Sequence, residues 1–147
     1  MIAVIDYGMG NLRSVAKAIE KVGGKVRVTS LAEDLDAADK IVLPGVGSFR
    51  DAMAGLKRLK LLNALIKNLK GPKPYLGLCL GMQLLFSESE EGGTQRGLDI
   101  FEGRVIRFAQ NLKVPQMGWN RIDIKHNECP LLKGVEDKAW MYFVHSY

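Results

Sequence analysis

Over the first eighty-odd residues, short apolar runs alternate with longer stretches whose apolar residues recur every three or four positions. That alternation confines the chain to βαβ units around a parallel sheet, an α/β fold. Ile2 to Ile5 is written as a buried strand. From Asn11 to Val22, Leu12, Val15, Ala16 and Ile19 share one helical face, with Asn11 placed to cap the start and Gly23-Gly24 to end it. Lys25 to Val28 follows as a strand, and Ile41 to Leu43 as a third, ending at Pro44. Met53, Leu56, Leu59, Leu62, Leu65 or Ile66, and Leu69 form a stripe that predicts one helix, closed by Gly71-Pro72. Pro74 to Leu78 is a fourth strand, turning through Gly77, Cys79 and Gly81 into a helix expected from Met82 to about Ser87. Beyond Glu91-Gly92-Gly93 the pattern becomes β-rich, with runs at Gly103 to Phe108, Asn120 to Ile124 and Ala139 to Val144, expected as antiparallel or mixed strands. No internal repeat or linker divides the chain, so one domain over residues 1–147 is expected. Its apolar last run leads straight to Tyr147, which suggests a domain lacking its C-terminal part.

Composition removes several classes of function. With 47% hydrophobic and 25% charged residues in 147, a buried core needs no staples. The two cysteines, Cys79 and Cys129, make no disulfide framework, which points to a reducing, cytoplasmic setting. Two histidines without CxxC or HxxxH spacing give no support for a metal, and no cofactor is called for. No apolar stretch reaches the ~18 residues that span a bilayer. The net charge of +5 invites a nucleic-acid reading. The basic residues, however, lie on helix faces (Lys57, Arg58, Lys60, Lys67, Lys70) or singly along strands, without interleaved aromatics for bases to stack on.

The strongest chemical signal is Gly77-Leu78-Cys79-Leu80-Gly81 between a strand and a helix, the pattern of a nucleophile elbow. A sharp strand-to-helix turn forces the central residue into strained backbone angles, and residues without Cβ allow the close approach that the turn needs. The amides that follow can then stabilise an anion on the thiol or on a substrate oxygen. The plainer reading of a free cysteine is a small buried hydrophobe. Pro44-Gly45-Val46-Gly47-Ser48-Phe49 leaves another parallel strand at its C-terminal end, where open α/β sheets bind ligands, and its glycines free backbone N–H groups for an oxyanion. The plainer reading there is an ordinary strand-to-helix turn. Gly8-Met9-Gly10 begins like a dinucleotide fingerprint. Arg13 stands where the third glycine belongs, and Thr29, Ser30 and Leu31 supply no acidic ribose ligand.

Taken in order, DYGMGNL (6–12), LPGVGSF (43–49), PYLGLCLGMQ (74–83), MGWN (117–120) and FVHSY (143–147) resemble the glutamine amidotransferase subunits of imidazole glycerol phosphate synthase, a branch of the class I glutamine amidotransferases. The resemblance implies a flavodoxin-like fold with a nucleophile elbow and added antiparallel strands after residue 100. It implies a glutaminase in which Cys79 attacks glutamine and backbone N–H groups of Leu80 and of Gly45, Val46 and Gly47 hold the oxyanion. Gln83 matches the glutamine-binding position and Glu91 an acidic residue beside the substrate ammonium, while Ser146 and Tyr147 match the segment at the α-carboxylate. Ammonia would pass to a cyclase subunit, a (β/α)₈ barrel, in a heterodimer that makes imidazole glycerol phosphate for histidine biosynthesis. Asn11, Trp119, Asn120 and Tyr142 match the surface that faces the barrel.

The same resemblance places the general base in an HPE-type motif, a His followed two residues later by Glu, and no HPE occurs among these residues. A thiol without that pair loses its proton acceptor and the acid for departing ammonia, about 10² to 10⁴-fold in proton transfer alone, so these 147 residues by themselves are expected to be nearly silent. His145 reads as a strand residue, His126 as solvated in a polar turn, and Cys129 as a loop or packing cysteine. A non-catalytic docking subunit and another elbow-type cysteine hydrolase are the alternatives.

Overall fold

A computed structural model describes residues 1–109, 111–126 and 128–147. The sheet grows on β1 (Ile2–Ile5), whose Ala3, Val4 and Ile5 are fully buried. It pairs in parallel with β2 (Val26–Thr29) on one side and β3 (Lys40–Leu43) on the other, so that Ala3 stands opposite both Arg27 and Ile41. β4 (Tyr75–Gly77) joins β3 in parallel with Val42 opposite Leu76. The order β2-β1-β3-β4 is the flavodoxin-like one, which puts a topological switch point at the C-terminal ends of β1 and β3.

α1 (Leu12–Lys21) starts as expected, with the Asn11 side chain accepting from the Ser14 N–H at 3.4 Å. α2 (Ala32–Ala37) is a helix the periodicity does not reveal, because Leu35 is the one large apolar residue in its six. Its acidic first turn, Glu33 and Asp34, is the available signal. Asp34 accepts from the Thr29 hydroxyl and, at 2.6 Å, from the Arg27 guanidinium, and the Thr29 bond leads in holding its carboxyl below the ordinary range.

The single helix predicted between Met53 and Leu69 is two, α3 (Phe49–Arg58) and α4 (Leu62–Leu69). The Lys60 N–H donates to the Lys57 carbonyl at 3.0 Å, and the Leu61 N–H to the Leu56 carbonyl at 2.9 Å. That is a Schellman stop, with Leu56 and Leu61 both fully buried, and Lys60 occupies its left-handed position at φ 57°. The stop is hidden because lysine stands where glycine is the usual marker.

α5 (Leu80–Gln83) is a single turn, not a helix to Ser87. The carbonyls of Leu84 and Leu85 accept from Leu98, Ile100 and Phe101, which bonds the chain sideways. It continues as β5 (Phe86–Ser89), antiparallel to β6 (Gln95–Arg96) and parallel to β7 (Phe101–Val105). Of the strands after residue 100, therefore, β7 is parallel and one pair is antiparallel. That pair is β8 (Gln116–Arg121) and β9 (Trp140–His145), with Trp119 opposite Tyr142. The described residues form two compact units, Met1–Ile106 and Arg107–Tyr147. No helix among them is long and apolar enough to cross a membrane.

Replacing Lys60 by glycine removes the left-handed penalty at the α3 stop. Lys60→Gly is expected to raise stability by about 0.5 to 1 kcal/mol, read as a higher thermal midpoint. An unchanged or lower midpoint would refute that account of the stop.

Candidate active site

The loops after β1, β3 and β4 leave the same edge of the sheet, and three glycines bring two of them into contact. A Cβ on Gly81 would lie 1.9 Å from the Leu43 carbonyl oxygen at the end of β3. One on Gly77 would lie 2.6 Å from the Cα of Met82, and one on Gly45 would lie 2.7 Å from the Leu80 Cβ and 2.8 Å from the Gly81 nitrogen. Real Cβ atoms do not approach so closely. The chain can make this turn, and hold the 44–48 loop against it, only without side chains at those positions.

Cys79 stands at the apex, exposed, with φ 54° and ψ −113°. A non-glycine residue at such angles costs about 1 to 3 kcal/mol and persists where the surroundings over-determine it. Its carbonyl accepts from the N–H groups of Met82 at 2.9 Å and Gln83 at 3.2 Å, and the Leu78 N–H donates to the Leu43 carbonyl at 3.0 Å, so the strand before it and the turn after it are both anchored. Leu80 is the first residue of α5, and a first-turn N–H has no acceptor within its own helix. Gln83 lies at the end of the same turn, half-buried. In the facing loop Gly45 is buried, while Val46 and Gly47 are exposed and Gly47 has φ 94°.

Two tyrosines, Tyr7 fully buried and Tyr75 half-buried, hold this arrangement from behind, and the sequence reading missed both. The Tyr7 hydroxyl donates to the Pro44 carbonyl at 2.8 Å, and Tyr7 is fully buried. The Tyr75 hydroxyl donates to the Gly81 carbonyl at 2.9 Å. That carbonyl would otherwise face the Leu85 N–H, which donates instead to Met82 at 3.1 Å as α5 closes. Burial, and secondarily a negative charge on Cys79, pushes Tyr7 up to about 12; burial, and secondarily Tyr7, pushes Tyr75 up further. Both are donors at neutral pH.

Glu91 joins the same rim. Its carboxylate accepts from the Phe49 N–H at 2.9 Å at the start of α3, and the Arg50 guanidinium donates to the Gly92 carbonyl at 2.7 Å. Asn11 is exposed at the cap of α1. The other named residues belong to the second unit. Trp119 and Tyr142 are 65% and 56% exposed with rings edge to face at 5.6 Å, and Asn120 is exposed beside them. Ser146 and Tyr147 follow β9, where the Ser146 carbonyl accepts from the Phe108 N–H at 3.1 Å and His145 Nδ1 lies 3.2 Å from the Tyr147 carbonyl. His126 is exposed, as its polar turn suggested. With Glu128 it has His-x-Glu spacing, a pair the sequence reading passed over, with Asn127 in the place of proline. Cys129 is half-buried, just before a 3₁₀ turn at Pro130–Leu132.

A parallel sheet in flavodoxin-like order, carrying a strained cysteine between glycines on a strand-to-helix turn, defines a class of elbow hydrolases and amidotransferases. The model of the family "Glutamine amidotransferase class-I" matches residues 3–147. The chain belongs to that family. Within it the chain is 50% identical over 154 residues to the imidazole glycerol phosphate synthase subunit HisH of Syntrophotalea carbinolica, covering all of this chain and 74% of that protein. It is 52% identical over 147 residues to the HisH subunit of Methanothermobacter thermautotrophicus, covering all of this chain and 72% of the relative. A crystal structure of a glutamine amidotransferase superposes with a TM-score of 0.72 over 98% of this chain and 71% of that one, at 16% identity, which bears on the fold alone.

Two outcomes follow from the site's packing. Gly81→Ala forces a Cβ into backbone and is expected to cost at least about 3 kcal/mol or abolish folding, whereas Gly71→Ala, whose Cβ meets nothing closer than 3.4 Å, should cost less than about 1 kcal/mol in urea denaturation. Equal losses would refute the close-approach account. Because folding raises both phenol pKa values above the ordinary value near 10, the folded state holds those protons while the unfolded chain releases them, so stability falls as pH climbs from about 10 towards 12. Denaturation midpoints that stay level through that window would contradict it.

Proposed function

We propose that this chain is the glutaminase subunit of an imidazole glycerol phosphate synthase and that Cys79 is its nucleophile. The observation that carries the proposal is the exposed Cys79 at φ 54° on the elbow, with the Gly45 loop packed against Leu80. The Cys79 sulfur attacks the side-chain carbonyl carbon of glutamine. The N–H of Leu80 and those of the Gly45 to Gly47 loop receive the oxyanion. The C–N bond then breaks, ammonia departs with a proton, and water cleaves the γ-glutamyl thioester to give glutamate and the free thiol. The thiol's proton and that taken by ammonia pass through a histidine of an HPE-type motif, which residues 1–147 do not contain. Gln83 and Glu91 lie on the elbow side of the substrate, with Glu91 able to meet an ammonium through the carboxylate that also caps α3. Ser146 and Tyr147 are assigned to the α-carboxylate end.

Ammonia passes to the cyclase subunit, a (β/α)₈ barrel, in the heterodimer that serves histidine biosynthesis. Asn11, Trp119, Asn120 and Tyr142 are proposed to face that barrel, and their exposure supports the assignment. The two free cysteines fit a cytoplasmic protein.

The test is peptide mass spectrometry after treatment with a glutamine-like chloroketone, with and without excess glutamine. Label on Cys79 and not on Cys129, suppressed by glutamine, is the expected result. Equal labelling of the two cysteines, or none, would refute the assignment of Cys79 and favour a docking role without hydrolysis.

A further inference from the structure

Tyr7 does more in this structure than fill the core. It stands two residues past the end of β1, is fully buried, and spends its one O–H on the carbonyl of Pro44, thirty-seven residues away, at 2.8 Å. A phenol in an apolar interior has other ways to be satisfied. This one is aimed at the peptide group that joins Pro44 to Gly45. A peptide group is planar, so fixing the direction of the Pro44 carbonyl fixes that of the Gly45 N–H on its opposite side. Proline has no N–H of its own, and Gly45 is free of side-chain constraint, so without an external anchor the plane at this junction is the softest point of the loop.

The position of Tyr7 is itself locked. Its backbone carbonyl lies 2.5 Å from where a Cβ on Gly55 of α3 would stand, and its hydroxyl oxygen lies 3.0 Å from the corresponding point on Gly45. The helix behind it and the loop in front of it are thus both closed upon it without intervening side chains. Gly45 in turn presses on Leu80 and Gly81 of the elbow. A chain of contacts consequently runs from α3 through Tyr7 and the Pro44–Gly45 peptide to the residue after Cys79.

We infer that Tyr7 is a positioning residue for the glutaminase reaction: by donating to the Pro44 carbonyl it sets the orientation of the Gly45 to Gly47 loop that receives the oxyanion beside Cys79. The inference rests on the reading of Cys79 as nucleophile. Tyr7 does not touch the substrate. Its effect belongs to the transition state, where negative charge appears on the substrate oxygen, and not to the binding of glutamine or to the nucleophilicity of the sulfur. Its raised pKa, about 12, keeps it a donor over the range in which such an enzyme is assayed.

The test is Tyr7→Phe in the full-length protein with its cyclase partner, with Cys79→Ala alongside. Three quantities are read: kcat and KM for glutamine, and the rate of alkylation of Cys79 by iodoacetamide, a reaction that forms no oxyanion. We expect kcat to fall by about tenfold, less than the roughly 10²- to 10³-fold that follows outright deletion of an oxyanion donor, while KM and the alkylation rate stay within about twofold. Unchanged kcat overturns the inference. So does a parallel loss of kcat and alkylation, which would mean that the elbow itself had collapsed. Should Tyr7→Phe fail to fold, 3,5-difluorotyrosine at position 7 keeps the shape and ionises at lower pH. A phenolate cannot donate to a carbonyl, so kcat of that protein is expected to drop on the alkaline side where the unmodified enzyme holds level. A coincident alkaline limb overturns the inference. Activity that survives in Cys79→Ala overturns the reading of the nucleophile, and with it the role of Tyr7, and is told apart from a failure of Tyr7 alone, in which Cys79→Ala is dead and Tyr7→Phe is not impaired.

Discussion

The contact on which the site depends is that of Gly81 with the end of β3. The Leu43 carbonyl accepts from the Leu78 N–H, and its oxygen is where a Cβ of residue 81 would have to be. The short helix after the elbow therefore sits directly on the last peptide of a neighbouring strand. That closeness is what brings the loop after β3 within reach of the residue after Cys79. With any side chain at 45, 77 or 81 the strand end and the helix must separate, and the loop after β3 and Cys79 part with them. Each glycine costs about 0.5 to 1 kcal/mol of extra chain entropy on folding. Leu43 and Leu80, which stand at this approach, are buried, and burial of apolar surface offsets that cost.

The same contact explains how a strained cysteine can persist. A residue at φ 54° and ψ −113° would relax if either flank were free. Neither flank is, because the strand before it is bonded to β3 and its own carbonyl holds the first turn of α5. Tyr75 satisfies the Gly81 carbonyl that this tight turn orphans, and Tyr7 satisfies the Pro44 carbonyl across the gap. The Tyr7 bond is buried and the Tyr75 bond half-buried, and both run to backbone, so carbonyls that an irregular turn would otherwise leave unpaired are matched there.

What was legible in the sequence is what has one physical meaning. Glycines spaced two residues either side of a cysteine, between a strand and a helix, admit the elbow and little else, and the stripes of leucine announce α3 and α4. Their break at Lys60 was invisible because the left-handed residue is a lysine, whose presence marks nothing. Leu84 to Phe86 continues a helical run as well as it begins a strand. What decides is the set of donors at Leu98, Ile100 and Phe101, which no local pattern reveals. Tyr7 and Tyr75 were missed for the same reason, since their acceptors are backbone carbonyls and every residue has one. Glu91 entered through the family resemblance, whereas its bond to the Phe49 N–H is a structural finding about how the rim is fastened.

The second unit follows a different logic. Along β8 and β9 the residues alternate between two faces, and one face carries Met117, Trp119 and Arg121 opposite Val144, Tyr142 and Trp140, all exposed. The two-stranded pair gains little from its own hydrogen bonds, and a ribbon of this size is marginal unless an apolar face is covered. Here side chains of that face contact one another across the two strands. Trp119 stands edge-on to Tyr142, and the Arg121 guanidinium lies 4.9 Å from the Trp140 ring centre. Rigid aromatic rings and a stacked arginine are the residue types that carry most of the energy of protein interfaces, because they bury much area and have little rotamer freedom left to lose. The barrel-facing role proposed for Trp119 and Tyr142 draws its physical basis from this arrangement: rings that already touch across β8 and β9 have less rotamer freedom left to lose when a partner covers them.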